Sequence, residues 1–259
     1  MHDPQALRQP RTGPSYSSCH VRQSMGGFYD RTPLGAPARR VGPAVGARKV
    51  VLMRARPISR DVLVGELAER VARWPRDRWV RVAVDGAPAG RPDTLADDLV
   101  APLRLRGRPV LRVSAGDFLR PASLRLEHGR DDPDAFYEDW LDVKALGREV
   151  LDPLDEHGSG RVLPALWDSR IDRAYRLPYE ELPPGGVVVV DGTLLLGQGL
   201  AFELTVHVWL SAAALERRTP EEERWRLPAY ERYEREVGPQ EAADVVIRAD
   251  HPDRPALLL

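Results

Sequence analysis

The 259-residue chain has a single cysteine, Cys19, and only two lysines, Lys49 and Lys144, against 36 arginines. One cysteine excludes a disulfide framework and a cysteine-based zinc site. No stretch approaches the roughly 18 uninterrupted apolar residues of a membrane-spanning helix, so no membrane partner is expected. A dominant charge sign is missing too. The net charge of −1 argues against a protein dedicated to nucleic acid, and none is expected as a partner. No His/Cys/Glu grouping suggests a metal site, and no Ser/His/Asp triad can be argued. What is present is a 42% hydrophobic content, enough for a sizeable core, and a 30% charged fraction suited to a mixed-sign surface.

Composition changes near residue 50. Residues 1–49 carry eight basic side chains against Asp3 and Asp30, a charge of +6, which leaves −7 for the remainder. This first part is rich in Gly, Pro and Ser and shows no apolar period, so residues 1–52 read as a disordered basic tail. It lacks the apolar core of a secretory leader, and a cytoplasmic protein is expected. Met53 is an alternative start, which would make the tail an over-extended reading frame. A nucleic-acid-binding arm or transit peptide is the functional alternative; its binding would weaken steeply with salt. Residues 53–259 form the expected domain.

Within it, Ser59 is a plausible cap for a helix carrying Leu63, Leu67 and Val71 and ending near Trp74. Val80–Val84, Pro109–Val113, Val187–Asp191, Leu204–Leu210 and Asp244–Ile247 read as strands. Helices are predicted over 93–103, 134–151, 211–218 and 221–236. His207 sits in an apolar strand and reads as structural, and Lys144 as a solvated residue on the 134–151 helix. Alternating strands and helices predict an α/β fold, a doubly wound parallel sheet with ligands beyond the carboxyl ends of its strands.

The first buried strand runs into Asp85-Gly-Ala-Pro-Ala-Gly-Arg-Pro-Asp-Thr94, and Leu95 opens a helix. A loop in this context cradles phosphate oxygens on backbone N–H groups and the helix N-terminus. A working loop of the form G-x-x-x-x-G-K-[ST] adds a Lys for the phosphates and a hydroxyl for Mg²⁺.

From Arg56-Pro-Ile-Ser59 to the C-terminus the chain resembles the uridine kinase-like branch of the P-loop nucleoside kinases. The resemblance rests on Val-Asp-Gly at 84–86, Thr-Leu-Ala-Asp at 94–97 and Asp-Phe-Leu-Arg-Pro at 117–121. It continues through Gly-Arg-Asp-Asp-Pro-Asp-Ala-Phe-Tyr at 129–137 and Trp-Asp-Ser-Arg-Ile-Asp-Arg at 167–173. Val-Val-Val-Asp-Gly at 188–192 and Ala-Asp-Val-Val-Ile at 243–247 complete it. It implies the P-loop kinase fold, ATP and Mg²⁺ as cofactors, and a nucleoside or nucleotide as small-molecule partner.

It also implies roles. Gly86, Gly90, Arg91 and Thr94 would lie on the phosphates, and Asp191 would support Mg²⁺ through water. Asp117 stands one residue from the family's catalytic base, to be reached by a local loop shift or else lost. Asp131 matches a carboxylate that binds sugar hydroxyls, and equally fits a helix cap. Trp167 would stack on a base or belong to the core, with Asp168 and Arg173 (and Asp172) as polar contacts. Arg217 and Arg218, with Arg224 and Arg226, would remain from a shortened lid.

The chain departs from the pattern where the chemistry is densest. Pro92 stands in place of the loop Lys, Asp93 in place of the Mg²⁺-binding hydroxyl and Arg91 in place of a Gly. Pro removes an ammonium and an N–H together, and Asp93 reads as a helix cap. A guanidinium at Arg91 differs from Lys in reach and geometry. Two readings follow. One is a phosphotransferase that phosphorylates a nucleoside or similar hydroxyl compound. The other is a non-catalytic relative that binds a nucleoside or nucleotide.

Overall fold

The computed structural model describes residues 54–252 and 254–259; the tail predicted for 1–52 and the alternative start at Met53 lie outside them. The chain runs β1 (Ala55–Pro57), α1 (Arg60–Ala72), β2 (Val80–Asp85), α2 (Pro92–Leu105) and β3 (Val110–Ser114). Three short helices follow, α3 (Ala122–Arg125), α4 (Pro133–Glu138) and α5 (Val143–Leu146). Two-residue strands β4 (Arg161–Val162), β5 (Trp167–Asp168), β6 (Arg173–Ala174) and β7 (Glu180–Glu181) pair as β4–β7 and β5–β6. Then come β8 (Val187–Gly192), β9 (Leu204–Trp209), α6 (Ala212–Arg218), α7 (Leu227–Glu236), α8 (Pro239–Ala242), β10 (Val245–Arg248) and β11 (Ala256–Leu258).

The main sheet has the order β1-β11-β10-β9-β2-β8-β3. Its five strands from β10 to β3 are parallel, and β11 and β1 close one edge antiparallel. Strand periodicity explains why it is covered on both sides. Val187 and Val189 join a core with α1 and α2, whereas their neighbours Val188 and Val190 join a second core with α5. Each buried valine contributes about 1.5–3 kcal/mol relative to exposure, so the Val-rich β8 anchors both layers at once. The predicted doubly wound parallel sheet is what forms. β2 lies centrally, with β8 and β9 on either side, so the chain reverses its winding direction there. That switch point puts a crevice at the strand ends.

Ser59 caps α1 as expected, accepting from the Val62 N–H. Three expectations need correction. The single helix over 134–151 is broken between Glu138 and Val143. There the Arg120 N–H donates to the Trp140 carbonyl and the Asp142 N–H to that of Phe118, tying the segment to 118–120. Lys144, exposed, therefore lies on the short α5. The helix over 221–236 is a 3₁₀ segment over Glu221–Arg226 followed by α7, because Pro228 has no N–H and fits only a first turn. Asp93 is not a cap: Arg91 holds that position with φ 60° and no side-chain cap bond, and Asp93 sits in the first turn of α2, where the helix dipole favours an acid.

Candidate ligand cleft and strand-end loop

A cleft of about 560 Å³ opens at the switch point. Its loop end is formed by Gly86, Pro92, Asp93 and Asp191, and its far end by Arg125, Phe136, Tyr137, Trp140 and Arg226.

The loop between β2 and α2 is folded on itself. Pro88–Gly90 form a 3₁₀ turn in which the Gly90 N–H donates to the Ala87 carbonyl at 2.7 Å and the Arg91 N–H to that of Pro88 at 2.9 Å. The Gly86 N–H donates to the Gly192 carbonyl, and Pro88 and Pro92 have no N–H to offer. The two glycines have a packing reason. A Cβ on Gly86 would lie 2.8 Å from the Val208 carbonyl oxygen, and one on Gly90 3.1 Å from the Val208 side chain. Arg91 is exposed, and the Thr94 hydroxyl is 3.5 Å from an Asp93 carboxylate oxygen.

Behind the loop, Asp85 is fully buried and accepts three bonds. They come from the Leu195 N–H at 2.9 Å, His207 Nδ1 at 2.7 Å and the Tyr233 hydroxyl at 3.0 Å. The Tyr233 oxygen also accepts from the Leu196 N–H. Burial pushes the Tyr233 phenol well above its ordinary range, and Tyr230 beside it up to about 12. This network ties the end of β2 to β9, α7 and the turn after β8. It gives His207 the structural role its apolar strand suggests.

Asp191, the penultimate residue of β8, is buried and lines the cleft. Its partner was not expected. Arg112, projecting from β3, brings Nη1 to 2.5 Å from Asp191 and Nε to 3.1 Å from Asp97, and donates to the Asp93 carbonyl. Burial raises the Asp191 pKa above the ordinary carboxylate value, and Arg112 opposes that rise. A divalent cation at Asp191 would have to displace this guanidinium. Among the described residues no three His, Cys, Asp or Glu side chains gather to hold a metal ion. With the loop donors turned inward, these residues do not fit a magnesium–nucleotide site.

The other predicted residues disperse. Asp117 lies on a 3₁₀ turn after β3, half-buried, with the Tyr175 hydroxyl 3.5 Å away; burial raises its pKa, and the charges of Asp191 and Asp168 add to that rise. Asp131 is exposed, and the cap it was weighed as belongs to Asp132, which accepts from the Asp134 and Ala135 N–H groups. Trp167 is half-buried in the β5–β6 hairpin, its Nε1 donating to Asp172. Asp168 closes on Arg170, whose guanidinium holds it below the usual carboxylate range, and Arg173 is exposed. None of these five lines the cleft. Arg217 and Arg218 sit on α6 around a separate depression with Asp250 and His251. Arg218 donates to the Ala249 carbonyl at 2.7 Å.

Instead the cleft's far end is aromatic and cationic. The Phe136 ring meets Trp140, Trp225 and Tyr230 edge-on at 5.2, 5.6 and 5.9 Å. The Arg226 guanidinium lies over Phe136, Trp140 and Trp225 at 5.1–5.4 Å, and Arg125 over Trp140 at 5.1 Å. Arg125 could not be flagged from sequence, since it looks like one solvated arginine among many.

A switch-point crevice and a strand–loop–helix at its edge belong to a doubly wound α/β fold, which a solved kinase structure shares. Among solved structures, a possible uridine kinase from Bacillus stearothermophilus superposes with a TM-score of 0.58 at 18% identity, over 72% of this chain and 97% of that one. A Silicibacter protein described as a fructose transport system kinase gives a TM-score of 0.46 at 24% identity, over 70% and 94%. No family model and no curated protein matches the sequence. No helix among the described residues is long and apolar enough to cross a membrane.

Proposed function

We propose that this chain is a binding protein on a P-loop kinase fold, retaining a cleft for a nucleoside or nucleotide and no longer using ATP with Mg²⁺. Its strand-end loop is then a degenerate Walker A loop. The observation that carries this reading is the Arg112–Asp191 ion pair. Phosphoryl transfer depends on placing cations around the phosphates, and the carboxylate that would support the metal is already neutralised from within. Pro92, without ammonium or N–H, and a self-bonded loop point the same way. Calorimetric titration with millimolar ATP, with and without Mg²⁺, tests it. No heat of binding is expected, and stoichiometric Mg²⁺-dependent binding overturns the proposal.

A second reading, ATP-dependent phosphorylation of a nucleoside or similar hydroxyl compound, draws on Asp117. It is a half-buried carboxylate whose raised pKa suits it to accept a hydroxyl proton. The likeness to a possible uridine kinase favours that acceptor class. Nucleoside-dependent release of ADP would establish this reading.

A further inference from the structure

The two ends of the cleft differ in how far their charges are paired, and at the loop end Arg112 neutralises Asp191. Two carboxylates, Asp93 and Asp191, line the loop end. Two arginines line the aromatic end, and both are incompletely satisfied. Arg125 is only 6% exposed. Its Nε donates to the Arg120 carbonyl at 2.6 Å and one terminal nitrogen reaches the Ser169 carbonyl at 3.4 Å. Its nearest carboxylate, Asp172, is 3.9 Å away. Arg226 has Glu223 at 3.3 Å, and its Nε is buried with no hydrogen-bond partner among the described residues. Each guanidinium is packed within 5.4 Å of the Trp140 ring centre, and both arginines line the cleft. A guanidinium edge binds planar or tetrahedral oxyanions bidentately, and the strength of such bonds grows as water is excluded.

We propose that the aromatic end binds an anion: a small ring-bearing ligand whose phosphate or carboxylate sits on Arg125 and Arg226, in preference to a neutral nucleoside. The inference rests on the reading that the cleft is a ligand site, and it deepens that reading by naming the ligand's charge. The charge also sets the ligand's direction, because an anionic group placed at the loop end would face Asp93.

The test compares uridine, uridine 5′-monophosphate, orotate and inorganic phosphate by calorimetry on the full chain, with tryptophan fluorescence as a second readout from Trp140 and Trp225. At least one ring-bearing anion is expected to bind about tenfold or more tighter than uridine. Monophosphate and orotate as separate arms distinguish phosphate from carboxylate. In Arg226→Gln the preference should shrink to about threefold or less. If that variant does not fold, raising the salt on the wild-type protein should weaken the anion and leave uridine unchanged. Uridine binding as well as its monophosphate overturns the proposal, as do free phosphate matching the ring-bearing anions, an Arg226→Gln protein that keeps the full preference, or no anionic probe binding at millimolar concentration. The outcome is separable from the ATP question: a protein that binds ATP with Mg²⁺ and still prefers the anions loses the proposed function and keeps this site.

Discussion

At one end of the cleft, backbone donors face inward and charges cancel. Gly86, Gly90 and Arg91 give their N–H groups to neighbouring carbonyls, and Arg112 neutralises Asp191. At the other end, Arg125 and Arg226 lie against aromatic rings with donors left over. Arg112 Nε and Arg226 Nε are both buried without a hydrogen-bond partner among the described residues, so the two ends differ in charge pairing: Asp191 is closely matched at the loop end, whereas the nearest carboxylate to Arg125 is 3.9 Å away. A buried polar group without a partner costs about 1–3 kcal/mol, so a site that keeps such groups has a reason to meet something that completes them. Fold likeness directs attention to the loop, while local chemistry directs it to the opposite wall.

The contrast can be broken by substitution. The largest effect is expected at Asp85, which supports the loop end from behind. Asp85→Ala leaves three buried donors without an acceptor and should lower unfolding free energy by about 3–5 kcal/mol in urea titration. A loss under about 1 kcal/mol would show that the network is not what holds the loop down. Next is Arg112→Met, expected to cost about 3 kcal/mol at neutral pH by leaving Asp191 buried without its counter-charge. The pH dependence has a definite sign. Without Arg112 only a hydrogen bond from Ser114 opposes the burial that raises the Asp191 pKa, and the charge of Asp93 adds to the rise. An acid with a raised folded-state pKa adds stability below its unfolded value, about 4, and loses it as pH rises through the folded value. The deficit of the variant should therefore be small near pH 4 and grow above it; a pH-independent deficit would mean that packing, not charge, joins the pair.

Gly86→Ala should cost about 2 kcal/mol, since the new methyl meets the Val208 carbonyl, and thermal unfolding measures it. A smaller gain is expected from Asp117→Asn. Burial raises the Asp117 pKa, so its ionised form opposes folding above the folded-state value, and the variant should be the more stable protein at pH 8. That advantage should vanish below pH ~4. The smallest effect sharpens the comparison most. Pro92→Lys with Asp93→Thr rewrites the two departures from the kinase loop, yet Arg112 still occupies Asp191. No Mg²⁺-dependent ATP binding should appear by calorimetry; if it does, those two side chains alone account for the loop end.

Much of this architecture was readable in advance, because its signals are local. The valine run of β8, the alternation of β2, Ser59 ahead of α1 and the missing loop lysine each follow from a period of two, a period of 3.6 or one residue's chemistry. Strands β1 and β11 went unseen because three residues are too few to show a period, even with Leu257 of β11 buried in the core. The break at 139–142 went unseen because its cause, the bonds that tie Trp140 to Arg120 and Asp142 to Phe118, spans 20 and 24 residues of sequence.

What the sequence determined by itself is the five parallel strands, most of the helices beside them and a proline, without ammonium or N–H, at position 92. What only the tertiary structure decided is who faces whom. Arg112 reaches Asp191 because β3 pairs with β8, setting Ser114 beside Asp191, although β2 precedes β3 in the chain. Arg125 and Arg226 share Trp140 because three separate segments converge on one ring. Hydrophobic period is a property of each segment. Charge neutralisation is a property of pairs brought together by strand order, and a linear pattern carries no record of that order.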